Sequence, residues 1–265
     1  MLRRFTALTT CLFALALALS ACGGDSGKAS LGQTVNGGAP ASTAAPAAPS
    51  STIVTVKPEV TKVAVYDSPS DSKPSRELDN PWLYDPAVPT SKVPQVFLEK
   101  SQQDGWVQVL LPVRPNGSTG WVKSSDVTLT PNPYRIDVAL GAHTITVHNG
   151  NSVVYTGPIA VGATDPPLPD AGKPTPTPTG EYYLRILIQA SDPTTVYGPY
   201  AYGLSSHSDS LDEFEGADAE IGIHGNNDAS VLGKSISHGC IRMSNDKITA
   251  LASLLPLGTP VSVTA

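Results

Sequence analysis

Cys240, His224 and His238 are the residues of this 265-residue chain best suited to carry out chemistry. They fall within one stretch, Ile221 to Asn245, in which His224 is followed by Gly225 and Cys240 stands at the end of Ser237-His238-Gly239-Cys240. A thiolate is a nucleophile, and a nearby imidazole lowers the thiol pKa and takes its proton. Backbone N–H groups around Gly239 and Cys240 are placed to hold an oxyanion, and glycine lets main chain approach a substrate closely. Together these groups make up what acyl transfer needs.

Several elements must position them. Ala219 to His224 alternates as a strand, Gly225-Asn-Asn-Asp228 is turn-forming, and Val231 to Ile236 suits a short helical or irregular segment leading into Ser237–Cys240. The loop therefore carries His224 back towards Cys240. Asn245 is placed to cap a helix over 246–255, whose Ile248, Leu251, Leu254 and Leu255 form one apolar stripe, and Val261–Val263 closes as a strand. Upstream, Ile136–Leu140, His143–Val147 and Ser152–Tyr155 alternate, with a hairpin turn over His148–Asn151, and Tyr182–Ile188 makes a strong strand. His143 and His148 are expected on or beside strands, facing solvent. The proline-laden run Lys173–Gly180 has the composition of a linker, but its place between two strands suggests a fixed wall of a cleft. Ser191 to Glu220 shows little periodicity and clusters acids from Asp209 to Glu220, so it reads as a lid over the site or as a solvated insertion. His207, within it, earns no role.

The remaining chain is poor in chemistry. At 40% hydrophobic and 15% charged, with 25 prolines and 23 glycines, it predicts turn-rich, mostly-β structure. The N-terminus reads as an export signal over 1–21: Arg3 and Arg4, an apolar core from Phe5 to Leu19, then Leu19-Ser20-Ala21-Cys22. Cleavage lowers the basic count from 17 to 15 against 23 acidic residues and moves the net charge from −6 to −8. No basic stripe is present to hold nucleic acid. Residues 22–50 are Gly-, Ser-, Ala-, Thr- and Pro-rich and read as a disordered tether. A β domain is expected over 53–130, from the strands Ile53–Val56, Val63–Tyr66, Gln95–Leu98, Gly105–Val109 and Gly120–Val122, the last two joined by a turn at Arg114–Gly117.

Cysteine counting sharpens the picture. Of three cysteines, Cys11 leaves with the signal, Cys22 stands at the cleavage point, and Cys240 has no partner for a disulfide. An unpaired thiol outside the cytoplasm is either buried and inert or used. Zinc is the competing use of His224, His238 and Cys240, but His238 and Cys240 are one residue apart and no Cys-x-x-Cys or His-x-x-x-His spacing occurs. No metal and no cofactor is expected.

The residues carry resemblances. Leu19–Cys22 resembles a bacterial lipobox, which implies acylation of Cys22 and anchoring to a membrane at the cell envelope, outside the cytoplasm. The paired Gly-Trp-Val segments around Trp106 and Trp121 resemble bacterial SH3-like domains, small five-stranded barrels of cell-wall proteins; both tryptophans also suit core packing. Ile223-His224-Gly225, then Ser237-His238-Gly239-Cys240-Ile241-Arg242, with Thr177-Pro178-Thr179-Gly180 upstream, resemble the signature of L,D-transpeptidases of the YkuD type over about 134–265. The expected architecture is thus a small SH3-like barrel followed by a β-rich YkuD-like catalytic domain with one or two short helices. The resemblance implies that Cys240 attacks the carbonyl of the third residue of a peptidoglycan stem tetrapeptide and expels D-alanine. It makes His224 the base, oriented by a carbonyl near Gly225. It has Ser237 and His238 shape the site, Gly239 contribute to the oxyanion hole, and Arg242 meet a substrate carboxylate. A diamino-acid amine on a neighbouring stem then resolves the thioester as a 3→3 cross-link, and carbapenems acylate the same cysteine in this family. An L,D-carboxypeptidase would use water as acceptor instead, and a non-catalytic wall-binding lipoprotein is the third possibility. His224 and Ser237 lie toward the short end of the family's separation, and Arg242 stands where many members carry asparagine.

Overall fold

The computed structural model describes residues 51–84, 91–166, 168–214 and 216–265. The signal over 1–21, Cys22 and the tether to residue 50 lie outside the described residues. The described part is mostly β, with one α-helix, Asn245–Ala252, and belongs to one compact unit.

The N-terminal sheet has five antiparallel strands in the spatial order Thr119–Lys123, Trp106–Leu110, Val96–Gln103, Ser51–Val56, Val127–Asn132. Alternation creates its core: Val54, Val56, Val107, Val109 and Val122 point inward and are buried. Each such side chain contributes roughly 1.5–3 kcal/mol by leaving water. Trp106 and Trp121 are half-buried, and Trp106 meets Tyr66 edge-on with ring centroids 4.9 Å apart.

The second sheet has eight strands in the order Ser152–Pro158, Thr144–Asn149, Tyr134–Ala139, Pro260–Thr264, Gly180–Gln189, Tyr200–His207, Glu220–His224, Ile241–Arg242. Neighbours are antiparallel except at two places: Tyr134–Ala139 runs parallel to Pro260–Thr264, and Glu220–His224 parallel to Ile241–Arg242. The sheet curls, because just beyond the first strand Ala160 bridges to Arg242 in the last. Helix Asn245–Ala252 covers the core through Ile248 and Leu251. Its N-cap is Ser244 rather than Asn245, and it ends three residues before Leu255.

Strand Gly180–Gln189 serves both cores. Tyr182 and Leu184 join the large cluster, whereas Tyr183, pointing the other way, joins the N-terminal one. Gly258, at φ +87°, lies so close to Ile53 that a Cβ there would come within 2.6 Å of its Cγ2. Arg185 stacks over Trp82 at 3.7 Å, and Lys100 pairs with Glu181.

Three local expectations change. Tyr200–His207 is a central strand inside the stretch that shows little periodicity. Its pattern is hidden because Ser205, Ser206 and His207 are polar yet buried. His143 sits in a turn at φ +48° with Nε2 3.0 Å from Ser235 Oγ. His148 is largely covered and its Nε2 lies 2.9 Å from Asp137. Neither histidine therefore faces solvent from a strand.

Candidate active site

The site is assembled where two parallel strands meet. Ile223 pairs with Ile241 and His224 with Arg242, which sets Cys240 beside Gly222. Ile221 and Ile223 enter the core, leaving Gly222 on the opposite face. The Gly222 N–H donates to Cys240 Sγ at 3.3 Å. Such a donor favours the thiolate over the thiol. A side chain at Gly222 would crowd Tyr202 O at 3.0 Å, so glycine keeps the two strands close.

The loop preceding Cys240 is held by hydroxyl groups. Ser237 Oγ accepts from Gly239 N at 3.2 Å and donates to Cys240 O at 2.5 Å. Gly239 adopts φ +125°, and a Cβ there would meet Ile221 Cδ1 at 2.8 Å. Behind this loop stands the proline-laden segment, whose Thr175 Oγ1 donates to Ser237 O (3.0 Å) and whose Thr177 Oγ1 donates to Gly239 O (2.7 Å). Thr177 Oγ1 also accepts from Gly162 N at 2.9 Å, and both threonines are buried. The run Lys173–Gly180 is therefore a wall braced against the nucleophile loop.

His224 is 2% exposed and its Nδ1 lies 2.6 Å from Gly225 O. A carbonyl only accepts, so Nδ1 carries the proton and Nε2 keeps its lone pair. Burial, aided by the positive charge of Arg242, lowers the His224 pKa to about 4 against the opposing pull of the Gly225 carbonyl. The imidazole is consequently neutral near pH 7. Asn245 Oδ1 accepts from Asn226 N at 2.8 Å and Asn226 Nδ2 donates to Met243 O at 2.7 Å, which fixes the turn that presents the Gly225 carbonyl. Gly225 itself must be glycine, because a Cβ would meet Asn245 Oδ1 at 2.3 Å.

His224, Cys240, Ser237, His238 and Arg242 all line one cleft of about 220 Å³. His238 Nε2 lies 3.3 Å from Asp170 Oδ2, and its ring is 4.9 Å from that of Phe214. Tyr197 approaches His224 with ring centroids 5.0 Å apart. The main chain of Arg242 is tied to Ala160, while its buried Nε has no hydrogen-bond partner. Among the described residues, no group of three or more His, Cys, Asp and Glu side chains converges as metal ligands would.

The structure thus brings together all the residues that the sequence singled out, except Cys22, which lies outside the described ones. The Gly239 N–H donates to Ser237 Oγ, and Gly239 holds φ +125°. Sequence reasoning missed Thr175 and Thr177 as individual residues, and Asn226, Tyr197, Phe214 and Asp170 altogether. Two threonines spaced by one proline carry no chemical signal until their carbonyl partners are known. Tyr197 sits in a loop and Phe214 in a two-residue strand, within a stretch whose composition shows little periodicity. The arrangement can do nucleophilic chemistry: a thiol with a backbone donor, a neutral imidazole held in one tautomer, and a guanidinium at the same cleft.

A family model described as the L,D-transpeptidase catalytic domain matches residues 133–263. The Bacillus subtilis protein named as L,D-transpeptidase YkuD is 38% identical over 131 residues, covering 49% of this chain and 66% of that protein. The Bacillus licheniformis protein of the same name is 34% identical over 164 residues, covering 59% of this chain and 86% of that one. Among solved structures, an L,D-transpeptidase from Mycobacterium smegmatis is similar at 17% identity with a TM-score of 0.38, over 63% of this chain and 80% of that one.

Proposed function

The chain belongs to the YkuD family of L,D-transpeptidase catalytic domains, and we propose that it is a cysteine acyltransferase acting on peptidoglycan stem peptides. The observation that supports this most strongly is the buried, neutral His224 fixed through Nδ1 on Gly225 O, in the same cleft as Cys240. His224 Nε2 takes the thiol proton as Cys240 Sγ attacks the carbonyl of the third residue of a tetrapeptide. The C–S bond forms, charge collects on the carbonyl oxygen, and the bond to D-alanine breaks as the imidazolium returns its proton to the departing amine. A diamino-acid amine then attacks the thioester, His224 accepts its proton, and the sulfur leaves and is reprotonated. The result is a 3→3 cross-link and a regenerated thiol. Arg242 lines the same cleft as Cys240, which supports a guanidinium that meets a substrate carboxylate.

Incubating the chain lacking residues 1–22 with a disaccharide tetrapeptide and resolving the products by mass tests this reading. Dimeric cross-linked product is expected. Tripeptide alone would make water the acceptor and the protein an L,D-carboxypeptidase, and no product from folded protein would leave a wall-binding role. The proposal extends to the N-terminus: Cys22 is acylated and holds the protein to a membrane outside the cytoplasm, and the five-stranded sheet is an SH3-like module. Cys22→Ser should move the full chain from the membrane to the soluble fraction, and its retention on the membrane would contradict the anchor.

A further inference from the structure

The turn Arg114–Gly117 joins two strands of the N-terminal sheet, and Ser118 closes it by donating to Pro115 O at 2.7 Å. Nothing in that reversal requires an arginine or an asparagine. Both side chains are used on the other sheet. Arg114 Nη1 donates to Ser208 O at 2.7 Å, and Nη2 donates to Leu211 O at 3.1 Å and to Asp218 Oδ1 at 3.0 Å. Asn116 Nδ2 donates to His207 O at 2.8 Å and to Asp209 Oδ1 at 3.2 Å, while Asn116 Oδ1 accepts from His207 N at 2.9 Å. The amide thus satisfies both backbone polar atoms of His207 as an adjacent strand would.

These partners lie at the two roots of one hairpin. Ser208 and Leu211 lead into its first leg, Glu213–Phe214, and Asp218 ends its second, Ala217–Asp218. Ser208 N also donates to Ala219 O at 2.7 Å, and His207 Nε2 reaches Asp218 Oδ2 at 3.3 Å, so the roots are tied to each other as well as to the turn. Phe214 lines the cleft and faces His238. A planar guanidinium can span two carbonyls and a carboxylate at once, which a lysine ammonium on a single flexible stem cannot do in the same geometry.

We propose that Arg114 and Asn116 are positioning residues: they hold this hairpin so that Phe214 forms the side of the cleft against which the donor peptide is seated. The N-terminal sheet is then part of the substrate-binding apparatus. The consequence for turnover rests on the acyl-transfer reading above; the clamp itself does not.

Backbone hydrogen exchange, steady-state kinetics with a tetrapeptide donor, and alkylation of Cys240 by iodoacetamide test this on the chain lacking residues 1–22. Arg114→Ala should speed exchange at amides of 208–214 and 216–219 by about tenfold, the size expected for losing a charge-assisted hydrogen bond. Strand Gly180–Gln189 should be unaffected. KM should rise by about tenfold, with kcat within about twofold and iodoacetamide alkylation unchanged. Asn116→Ala should act in the same direction and less, and keeps the test alive if Arg114→Ala fails to fold. Arg114→Lys should fall between wild type and Arg114→Ala. Unchanged exchange at the hairpin would overturn the clamp, and a loosened hairpin with unchanged KM would overturn its link to substrate. If the wild type turns over no tetrapeptide, the acyl-transfer reading fails by itself; hydrogen exchange and the tetrapeptide concentration that half-protects Cys240 from iodoacetamide then judge the clamp.

Discussion

Two segments border the Cys240 loop and its cleft and are built differently. In the wall, Thr175 and Thr177 are buried and their hydroxyls are tied to the carbonyls of Ser237 and Gly239. The hairpin that carries Phe214 is exposed along most of its length and is held at its roots by side chains from a different sheet. Buried, fully satisfied hydrogen bonds fix a nucleophile to within the small tolerances that chemistry requires. An exposed hairpin with external ties suits the less exacting task of seating a peptide. If the wall sets reactivity and the hairpin sets substrate affinity, substitutions on the two sides should separate accordingly.

On the reactive side, Cys240→Ala is expected to abolish thioester formation and turnover together, as intact mass and product analysis will show. His224→Ala should slow acylation by roughly 10²–10⁴-fold with a native far-UV spectrum, the range for loss of a general base. Loss of folding in both variants would remove the catalytic interpretation. Thr177→Val keeps the shape but orphans the Gly239 carbonyl and the Gly162 N–H. It should cost about 1–3 kcal/mol in denaturant unfolding and slow acylation measurably. An effect on KM alone would erase the contrast between wall and hairpin.

The buried imidazole also predicts a pH effect. Because the folded-state pKa of His224 is lowered from 6.5 to about 4, the unfolded chain binds the proton first as pH falls. Stability should therefore decline as pH drops from about 6.5 towards 4, by roughly 3 kcal/mol from this group. His224→Gln should flatten that part of the profile in a pH series of denaturant melts. The acid limb of acylation should likewise lie near 4. The smallest expected effect is on the hairpin: Phe214→Ala should raise KM by about tenfold, as Arg114→Ala does, and leave iodoacetamide alkylation of Cys240 unchanged.

What the sequence revealed follows the same division. His224 and Cys240 were legible because His-Gly and Ser-His-Gly-Cys carry a family resemblance; which histidine is the base follows from that resemblance and not from spacing. Strands such as Tyr134–Ala139, Thr144–Asn149 and Trp106–Leu110 were legible because alternate residues are buried. The Thr-Pro run reads as a cleft wall from its place between two strands, but the bracing roles of Thr175 and Thr177 are not legible until the carbonyls they contact are known. Strand Tyr200–His207 was hidden by Ser205, Ser206 and His207, which are polar yet buried; Ser205 Oγ accepts from Tyr183 N and His207 Nε2 reaches Asp218. Arg114 and Asn116 read as turn residues because a turn explains them locally; their actual partners are more than ninety residues away.

The central claim is that Cys240 is a nucleophile activated by a neutral, buried His224. Its most direct test is the intact mass of the chain lacking residues 1–22 after exposure to a carbapenem, followed by peptide mapping, across pH 4 to 8. The account predicts one adduct, mapped to Cys240, formed at a rate that holds down to about pH 5 and falls only near 4. No adduct from folded protein with a free thiol, or an adduct whose rate falls away below the ordinary imidazole pKa, would contradict it.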